Sequence, residues 1–308
     1  MLNLSIAITT YNHEKYIAQA LDSVYKQNLN CDFEIVIGND CSTDKTLQII
    51  QEYKNKYNNI KVLNYTENVG YTVNFDKTLK ACSGKYIAIF DGDDIMLAGK
   101  IQKQISFLDE NPDYVMCTHK VRAFNSEDNE TIRYINPPHK KEYYTIEDII
   151  KYGSIFANSS KIFRKSALST EGIDYNIEKI ADWYITIRIA QEGKIKYFDE
   201  SLLDYRVHKD SIMKKIKGNI HHDDVIYILN KISEIYQHKY DHLYYHQYAY
   251  AYLIKGIYFI NNKQNNKARY LFIRSILKSP FYSISAYIRL FLSFLPQSVS
   301  YNLLKNRS

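Results

Sequence analysis

The strongest constraint in this sequence is a series of apolar, β-branched runs that alternate with helix-patterned ones. Residues 4–10 (LSIAITT), 33–37 (FEIVI), 60–64 and 86–90 (YIAIF) read as strands. Between them, residues 13–27, 44–57 and 73–82 carry helical spacing, as in Ile17, Ala20, Leu21 and Val24. A strand without polar residues, such as 86–90, is one covered on both faces by helices. The order β-α-β-α-β-α-β therefore predicts an α/β fold, with a mostly parallel, right-handed wound sheet. Ligands of such sheets bind beyond the carboxyl ends of the strands. Three of those ends carry polar clusters here: Thr9-Thr10-Tyr11-Asn12, Asn39-Asp40 and Asp91-Gly92-Asp93-Asp94. Three clusters on one edge predict one site.

Beyond Asp113 the alternation loosens. Residues 114–124 and 194–206 read as strands and 178–191 as a helix stopped by Gly193. Residues 145–152 read as a short helix with Thr145 as N-cap and Asp148 three positions on. Residues 158–168 are ambiguous. From 219 onward only helices are predicted, roughly four, ending near Pro296. The domains expected are 1–212, divided into halves 1–110 and 111–212, and a helical region 213–308. The polar stretch 209–218 is the expected boundary.

The 308-residue chain is long enough for one sizeable α/β domain with a helical addition. Its net charge of +6 is informative only by location. Asp241 is the last acidic residue, and Lys255, Lys263, Lys267, Arg269, Arg274, Lys278, Arg289, Lys305 and Arg307 follow it unbalanced. The four cysteines, Cys31, Cys41, Cys82 and Cys117, suit no zinc site by spacing and are read as free thiols. The first residues lack the basic flank and apolar run of a signal peptide. No segment reaches the roughly 18 uncharged apolar residues of a spanning helix. A cytoplasmic protein is expected.

The Asp91-Gly92-Asp93-Asp94 cluster carries the most chemistry. Carboxylates this close repel one another, which stability alone would not favour. A divalent cation removes the repulsion, and hard oxygen ligands suit Mg²⁺ or Mn²⁺. A diphosphate can complete the coordination shell. A solvated acidic turn is the plainer alternative for an isolated DxD.

Context decides between them. The segments 6–12 (IAITTYN), 20–24 (ALDSV), 39–46 (NDCSTDKT), 67–70 (ENVG) and 84–87 (GKYI), followed by Asp91-Gly92-Asp93-Asp94, together resemble glycosyltransferase family 2. The resemblance covers nearly all of residues 1–110 in the family's order and spacing. It implies a GT-A fold, a Rossmann-like nucleotide-sugar-binding sheet with helices on both faces, here with a C-terminal helical extension. The first half would then bind a nucleotide, most often UDP. By the same resemblance Tyr11 stacks on the base, Asp40 accepts a hydrogen bond from it, Asp91 lies near the ribose and Asp93 binds the metal. Thr9 belongs to the same nucleotide-sugar set and stands where many relatives have proline. Asp44 and Thr46 read as a helix start.

In the second half, residues 180–188 (IADWYITIR) resemble the family's acidic segment, and Asp182 matches the general base. A sugar hydroxyl is a poor nucleophile near neutral pH, so a carboxylate that takes its proton lowers the barrier. Ala181 replaces the usual Glu. An ion pair with Arg188 or Lys179 is the structural alternative for Asp182. Residues 205–211 (YRVHKDS) resemble the Tyr-Arg-x-His segment that closes many family domains. His208 is a candidate third metal ligand or donor to the diphosphate and Arg206 a candidate phosphate donor; packing between the sheet and the helical tail is the structural alternative for both. The cluster His221-His222-Asp223-Asp224 reads as a helix start. Residues 159–165 (SSKIFRK) resemble an acceptor-side segment without an assignable role.

The function implied is metal-dependent, inverting transfer of a sugar from a nucleotide sugar to a hydroxyl of a glycan or lipid-linked acceptor, in surface-polysaccharide synthesis. One rival is a non-catalytic glycosyltransferase-like binding module, which labelled-sugar turnover would distinguish. The other is a phosphatase of the haloacid dehalogenase class, which also sets DxD after an apolar strand. There the strand is usually the first; here it is the fourth, and Ile95 follows Asp94. No GxGxxG follows the first strand, which disfavours a nicotinamide cofactor. Residues 281–295 (FYSISAYIRLFLSFL) contain Arg289 as their single charge. They suggest a helix lying on the inner face of an anionic plasma membrane, with nucleic acid disfavoured as a partner.

Overall fold

The computed structural model describes residues 2–27, 29–209, 220–280 and 284–294. The chain divides into two compact units, 1–211 and 212–308. The expected boundary stretch lies almost wholly outside the described residues.

In the first unit, β1 (Leu4–Thr10) is buried throughout and pairs in parallel with β2 (Phe33–Asn39) and β4 (Tyr86–Asp91). β3 (Ile60–Asn64) pairs in parallel with β2. Helices α1 (Ile17–Tyr25), α2 (Thr46–Lys56) and α3 (Tyr71–Lys80) make the return connections. α1 buries Ile17, Ala20, Leu21 and Val24, the stripe its spacing predicts. It starts at Ile17, later than the periodicity suggests, and residues 11–16 form turns. α3 lies so close to β2 that a Cβ on Gly38 would meet Asn74 Oδ1 at 2.0 Å and Thr78 Oγ1 at 2.1 Å. The Asn74 amide uses that closeness to donate to the Gly38 carbonyl at 2.9 Å.

Beyond β4 the pairing becomes mixed. The two-residue β5 (Ile95–Met96) precedes α4 (Lys100–Glu110), and β6 (Tyr114–Asn125) follows. β8 (Ile162–Arg164) runs antiparallel between β4 and β6. β9 (Lys194–Val207) runs parallel to β6, and β7 (Thr131–Ile135) pairs with β6 antiparallel. The strand order is β3-β2-β1-β4-β8-β6-β9-β5. β5 pairs with β9 through Ile95↔Asp204 and Met96↔Leu203, so the chain after Asp91 runs directly beside the end of β9.

The short helix α5 (Ile146–Tyr152) has the capping box that Thr145 and Asp148 predict. α6 (Ala181–Ala190) begins at Ala181, later than the spacing suggests, so Asp182 occupies its first turn. A carboxylate is favoured there by the helix dipole. The ambiguous stretch 158–168 resolves into a 3₁₀ turn (Asn158–Ser160), β8 and a second 3₁₀ turn (Lys165–Ala167).

The described residues of the second unit form four helices: Ile220–Ile235, Asp241–Asn261, Asn265–Lys278 and Ile284–Leu292. The second and third pack tightly, for a Cβ on Gly256 would lie 2.4 Å from Phe272 Cε1. Asp223, from the His-His-Asp-Asp cluster, lies in the first helix and pairs with Lys255. No helix among the described residues is long and apolar enough to cross a membrane. All four cysteines are free thiols. Burial pushes the Cys82 thiol up to about 12, in keeping with a small apolar filler.

Candidate active site

Each expected residue of the first half stands at a strand end of one sheet edge. Thr9 is nearly buried and donates its hydroxyl to Asp91 Oδ1 at 3.1 Å. The Tyr11 ring is 44% exposed, just past β1. Asn12, with φ 55°, and Cys41, with φ 56°, bend the two loops, which are then laced together. The Asn12 amide donates to Ser42 Oγ at 2.9 Å, and the Thr43 amide donates to Asn12 Oδ1 at 2.8 Å. Asp44 accepts the Thr46 amide at 2.9 Å, consistent with its reading as a helix start.

Asp40 is buried at the end of β2. Its carboxylate accepts the backbone amides of Val69 at 2.7 Å and Gly70 at 3.1 Å. Gly70 has φ 86°, which a residue with a side chain rarely adopts, so glycine permits this clamp. Burial outweighs the two amides and raises Asp40 above the ordinary carboxylate range.

The Asp91-Gly92-Asp93-Asp94 turn places three carboxylates in three environments. Asp91 is held by two hydroxyls, from Thr9 and from Ser159, whose Oγ donates to Oδ2 at 3.1 Å. The same Ser159 oxygen accepts the Asp91 backbone amide at 3.0 Å. Burial, then the Asp93 charge, pushes Asp91 up to about 6. Asp94 turns inward and accepts the Arg206 backbone amide at 3.0 Å. Burial, then Asp93 and Asp91, raises Asp94 well above the usual range.

Asp93 differs from both. Its Oδ2 lies 3.0 Å from His208 Nε2 and 3.9 Å from His13 Nε2. Burial opposes its ionisation, but His13 and His208 outweigh that and hold Asp93 low. Gly92 makes the approach possible, since a Cβ there would lie 2.9 Å from Thr10 Oγ1 and 3.1 Å from His13 Nδ1. One ligand atom from each of His13, Asp93 and His208 lies within 4.8 Å of the other two. The His13 Nδ1 atom is buried without a hydrogen-bond partner, and burial lowers His13 below the ordinary histidine range. Two imidazoles and a carboxylate fit a divalent cation that accepts nitrogen beside oxygen, as Mn²⁺ does, better than Mg²⁺, which prefers oxygen alone.

Arg206 is not aimed outward at a ligand. Its guanidinium donates to the Asp93 carbonyl at 2.8 Å, to Ser126 Oγ at 3.3 Å and to Gln19 Oε1. These bonds brace the turn.

Asp182 lies in the first turn of α6. Its Oδ2 accepts Ser154 Oγ at 3.2 Å and stands 3.2 Å from Lys161 Nζ. Lys161 is 1% exposed. The pairing differs from the helical alternative with Arg188, which instead pairs with Glu171. Asp182 and Asp91 face one region, for both charges act on Tyr71, whose hydroxyl burial raises first and these two carboxylates next. Asn158 Nδ2 donates to that hydroxyl at 3.3 Å.

Sequence reasoning missed His13, Ser154, Ser159 and Lys161. His13 was read into a helix, whereas it sits in a turn and donates its amide to Thr46 Oγ1 at 2.8 Å. The unassigned segment 159–165 supplies Ser159 and Lys161. The resemblance marked that segment; only β8, inserted beside β4, shows what it touches.

Comparisons with known proteins bear on the family and the fold. The family model described as Glycosyl transferase family 2 matches residues 5–170. An uncharacterised protein of Mycobacterium tuberculosis is 32% identical over 212 residues, covering 68% of this chain and 60% of that protein. This chain thus spans 60% of that relative's length. The poly(ribitol-phosphate) beta-N-acetylglucosaminyltransferase TarS of Staphylococcus aureus is 37% identical over 113 residues, covering 36% of this chain and 20% of TarS. The crystal structure of S. aureus TarS 1-349 in complex with UDP-GlcNAc has TM-score 0.67 and 18% identity, covering 99% of this chain and 92% of that one. That likeness shows a common fold, the GT-A sheet with C-terminal helices.

Proposed function

Since the chain belongs to glycosyl transferase family 2, we propose that it transfers a sugar from a nucleotide sugar, in the first instance a UDP-sugar, to a hydroxyl acceptor. The observation that carries this reading is the convergence of Tyr11, Asp40, Asp91, Asp93 and Asp182 around one edge of the parallel strands. A UDP-GlcNAc complex of a protein with the same fold supports the donor class. The acceptor in this reading is a glycan or lipid-linked saccharide of a surface polysaccharide; TarS, named for a poly(ribitol-phosphate) acceptor, supports a polymeric hydroxyl acceptor and not a saccharide in particular.

In this reading Tyr11 offers its exposed face to the base, and Asp40 offers it the lone pairs that Val69 and Gly70 leave unused. Asp91, held by Thr9 and Ser159, meets the ribose hydroxyls. His13, Asp93 and His208 would hold a divalent cation, with Mn²⁺ preferred over Mg²⁺. When bound, the cation supplies positive charge where the departing diphosphate gathers negative charge. Asp182 takes the proton from the acceptor hydroxyl as its oxygen bonds to the anomeric carbon. The bond to the diphosphate breaks on the opposite side, and configuration inverts.

The four-helix unit has a face for an anionic membrane surface. Leu277 (71%), Ile284 (68%), Phe291 (70%) and Phe294 (64%) are exposed side chains on its last two described helices and just beyond them. Lys278 and Arg289 fall within the same stretch of sequence, with no acid after Asp241. Apolar side chains at the acyl boundary and cations at lipid phosphates suit such a face. The double variant Ile284→Ser/Phe291→Ser is expected to lose flotation with phosphatidylglycerol vesicles while its melting temperature is kept. Equal flotation would assign the face to another partner.

The test of the main reading is a thermal-shift screen of nucleotide sugars with Mn²⁺, followed by labelled-sugar transfer. Stabilisation by a nucleotide sugar without turnover on any glycan acceptor would favour the non-catalytic binding module.

A further inference from the structure

Among the described residues, Lys161 is one of two lysines whose side chains are almost fully buried; the other is Lys100. It follows the 3₁₀ turn Asn158–Ser160, and its backbone carbonyl accepts the Ile89 amide of β4 at 3.1 Å. Its stem lines a small void beside Ile149, Phe156 and Trp183. At the end of that stem, Nζ meets Asp182 twice, the carboxylate at 3.2 Å and the backbone carbonyl at 3.4 Å. Lys161 is 1% exposed on its side chain, whereas Asp182 is 16% exposed, so the pair opens to the site through the carboxylate alone.

A buried ion pair is a poor device for stability. Desolvation of both charges commonly cancels their attraction, and apolar residues of like volume often do as well. The surroundings of Lys161 are apolar enough for such a replacement. What an apolar residue could not do is fix the direction of the Asp182 carboxylate. Lys161 and Ser154 both contact Oδ2. No hydrogen bond to Oδ1 is found among the described residues, and that oxygen is the one available to a hydroxyl proton.

The same short segment also holds the donor side. Ser159 grips Asp91 through both its backbone amide and its carboxylate. Asn158 reaches Tyr71, and the Ser160 and Thr118 hydroxyls are hydrogen-bonded at 2.5 Å. One turn therefore sets the carboxylate expected at the ribose and, two residues later, the carboxylate expected at the acceptor.

We propose that Lys161 is the positioning residue of the catalytic base: it occupies Oδ2 of Asp182 and leaves Oδ1 to receive the acceptor proton. This rests on the reading of Asp182 as the base. The groups that face Asp182 are Lys161 before β8, Ser154 after α5, Tyr71 on α3 and, by its charge, Asp91 at the end of β4. Of these, Lys161 alone brings a positive charge. Without it, a largely buried carboxylate would face only hydroxyls and another carboxylate, and protonation would become easier.

The experiment uses the full chain with its nucleotide-sugar donor and acceptor. In Lys161→Met, kcat is expected to fall roughly 10–100-fold with UDP affinity and donor KM unchanged, the signature of a base out of position. The acid limb of kcat should move to higher pH, since the one positive charge facing the carboxylate is removed. Lys161→Arg, which keeps the charge, should recover part of the rate and return the limb toward its original position. Asp182→Asn serves as the reference. If Asp182→Asn keeps its rate, the reading of the base fails. If Asp182→Asn is slow while Lys161→Met keeps its rate, or loses rate equally at every pH, the role given to Lys161 is wrong. If Lys161→Met does not fold, the arginine variant alone decides by its pH profile.

Discussion

The site contains two sets of acids, and they are stabilised in opposite ways. Asp91, Asp93 and Asp94 crowd one turn; Asp93 raises Asp91, both raise Asp94, and Asp93 itself is held low by two imidazoles, while hydroxyls and a backbone amide soften the repulsion on the other two. Asp182 stands apart with an ammonium of its own at 3.2 Å. In the proposed function the first set would be completed by a cation brought from outside. The second carries its counter-charge within the fold. A cation and diphosphate suit the first arrangement, and a base that must stay ionised without a ligand suits the second.

Substitutions can break this contrast. The largest effect is expected at Asp93. Asp93→Asn should bring turnover below detection and abolish the Mn²⁺ dependence of UDP binding, read by calorimetry. His13→Ala should act in the same direction more mildly, weakening Mn²⁺ binding roughly 10-fold or more. Near wild-type transfer by Asp93→Asn without added metal would sink the assignment.

Asp182→Asn is expected next in size. The chemical step should slow by roughly 10²–10⁴-fold. Nucleotide affinity should stay level, because the donor-side acids are untouched. Lost affinity with unchanged turnover of bound substrate would move Asp182 out of the catalytic role.

The smallest effect sharpens the contrast by comparing the two buried lysines. Lys100 is fully buried at the start of α4, and its Nζ has no hydrogen-bond partner. Burial lowers it to about 7 from the ordinary 10.5. Its folded value lies below its unfolded one, so at pH 7 and below the full cost of burying the ammonium weighs on the fold. That cost lessens as pH rises from 7 toward 10.5. Lys100→Met should therefore raise the melting temperature at pH 7 by roughly 2–4 °C, with a smaller gain at pH 9. An equal gain at both values would mean that the benefit is packing and not charge.

The donor half was legible because its site is local. Each apolar run ends in a turn that carries its own polar cluster, so locating the strand also locates Tyr11, Asp40 or Asp91. The helix 100–110 was not legible. It buries Lys100 and Gln104 on its inner face, and two polar residues there interrupt the apolar period. The strands that complete the site were too short to show a period, with two residues in β5 and three in β8. Yet pairing of β5 with β9 is what brings His208 to Asp93, and insertion of β8 is what brings Lys161 to Asp182. Resemblance alone pointed to His208 and Asp182, and neither signal pointed to His13, whose partners lie in distant segments.

Arg206 has a consequence for anyone who would recombine this chain with its relatives. Its guanidinium joins Gln19 on α1, the Asp93 carbonyl after β4 and Ser126 after β6. A chimera that exchanged residues 1–110 alone would cut this tie at Gln19 and at the Asp93 turn while leaving Arg206 and Ser126 behind. The donor-binding half is thus no detachable cassette. Gln19, Ser126 and Arg206 have to be inherited together, and crossover points that separate them should yield folded proteins with a misplaced Asp93.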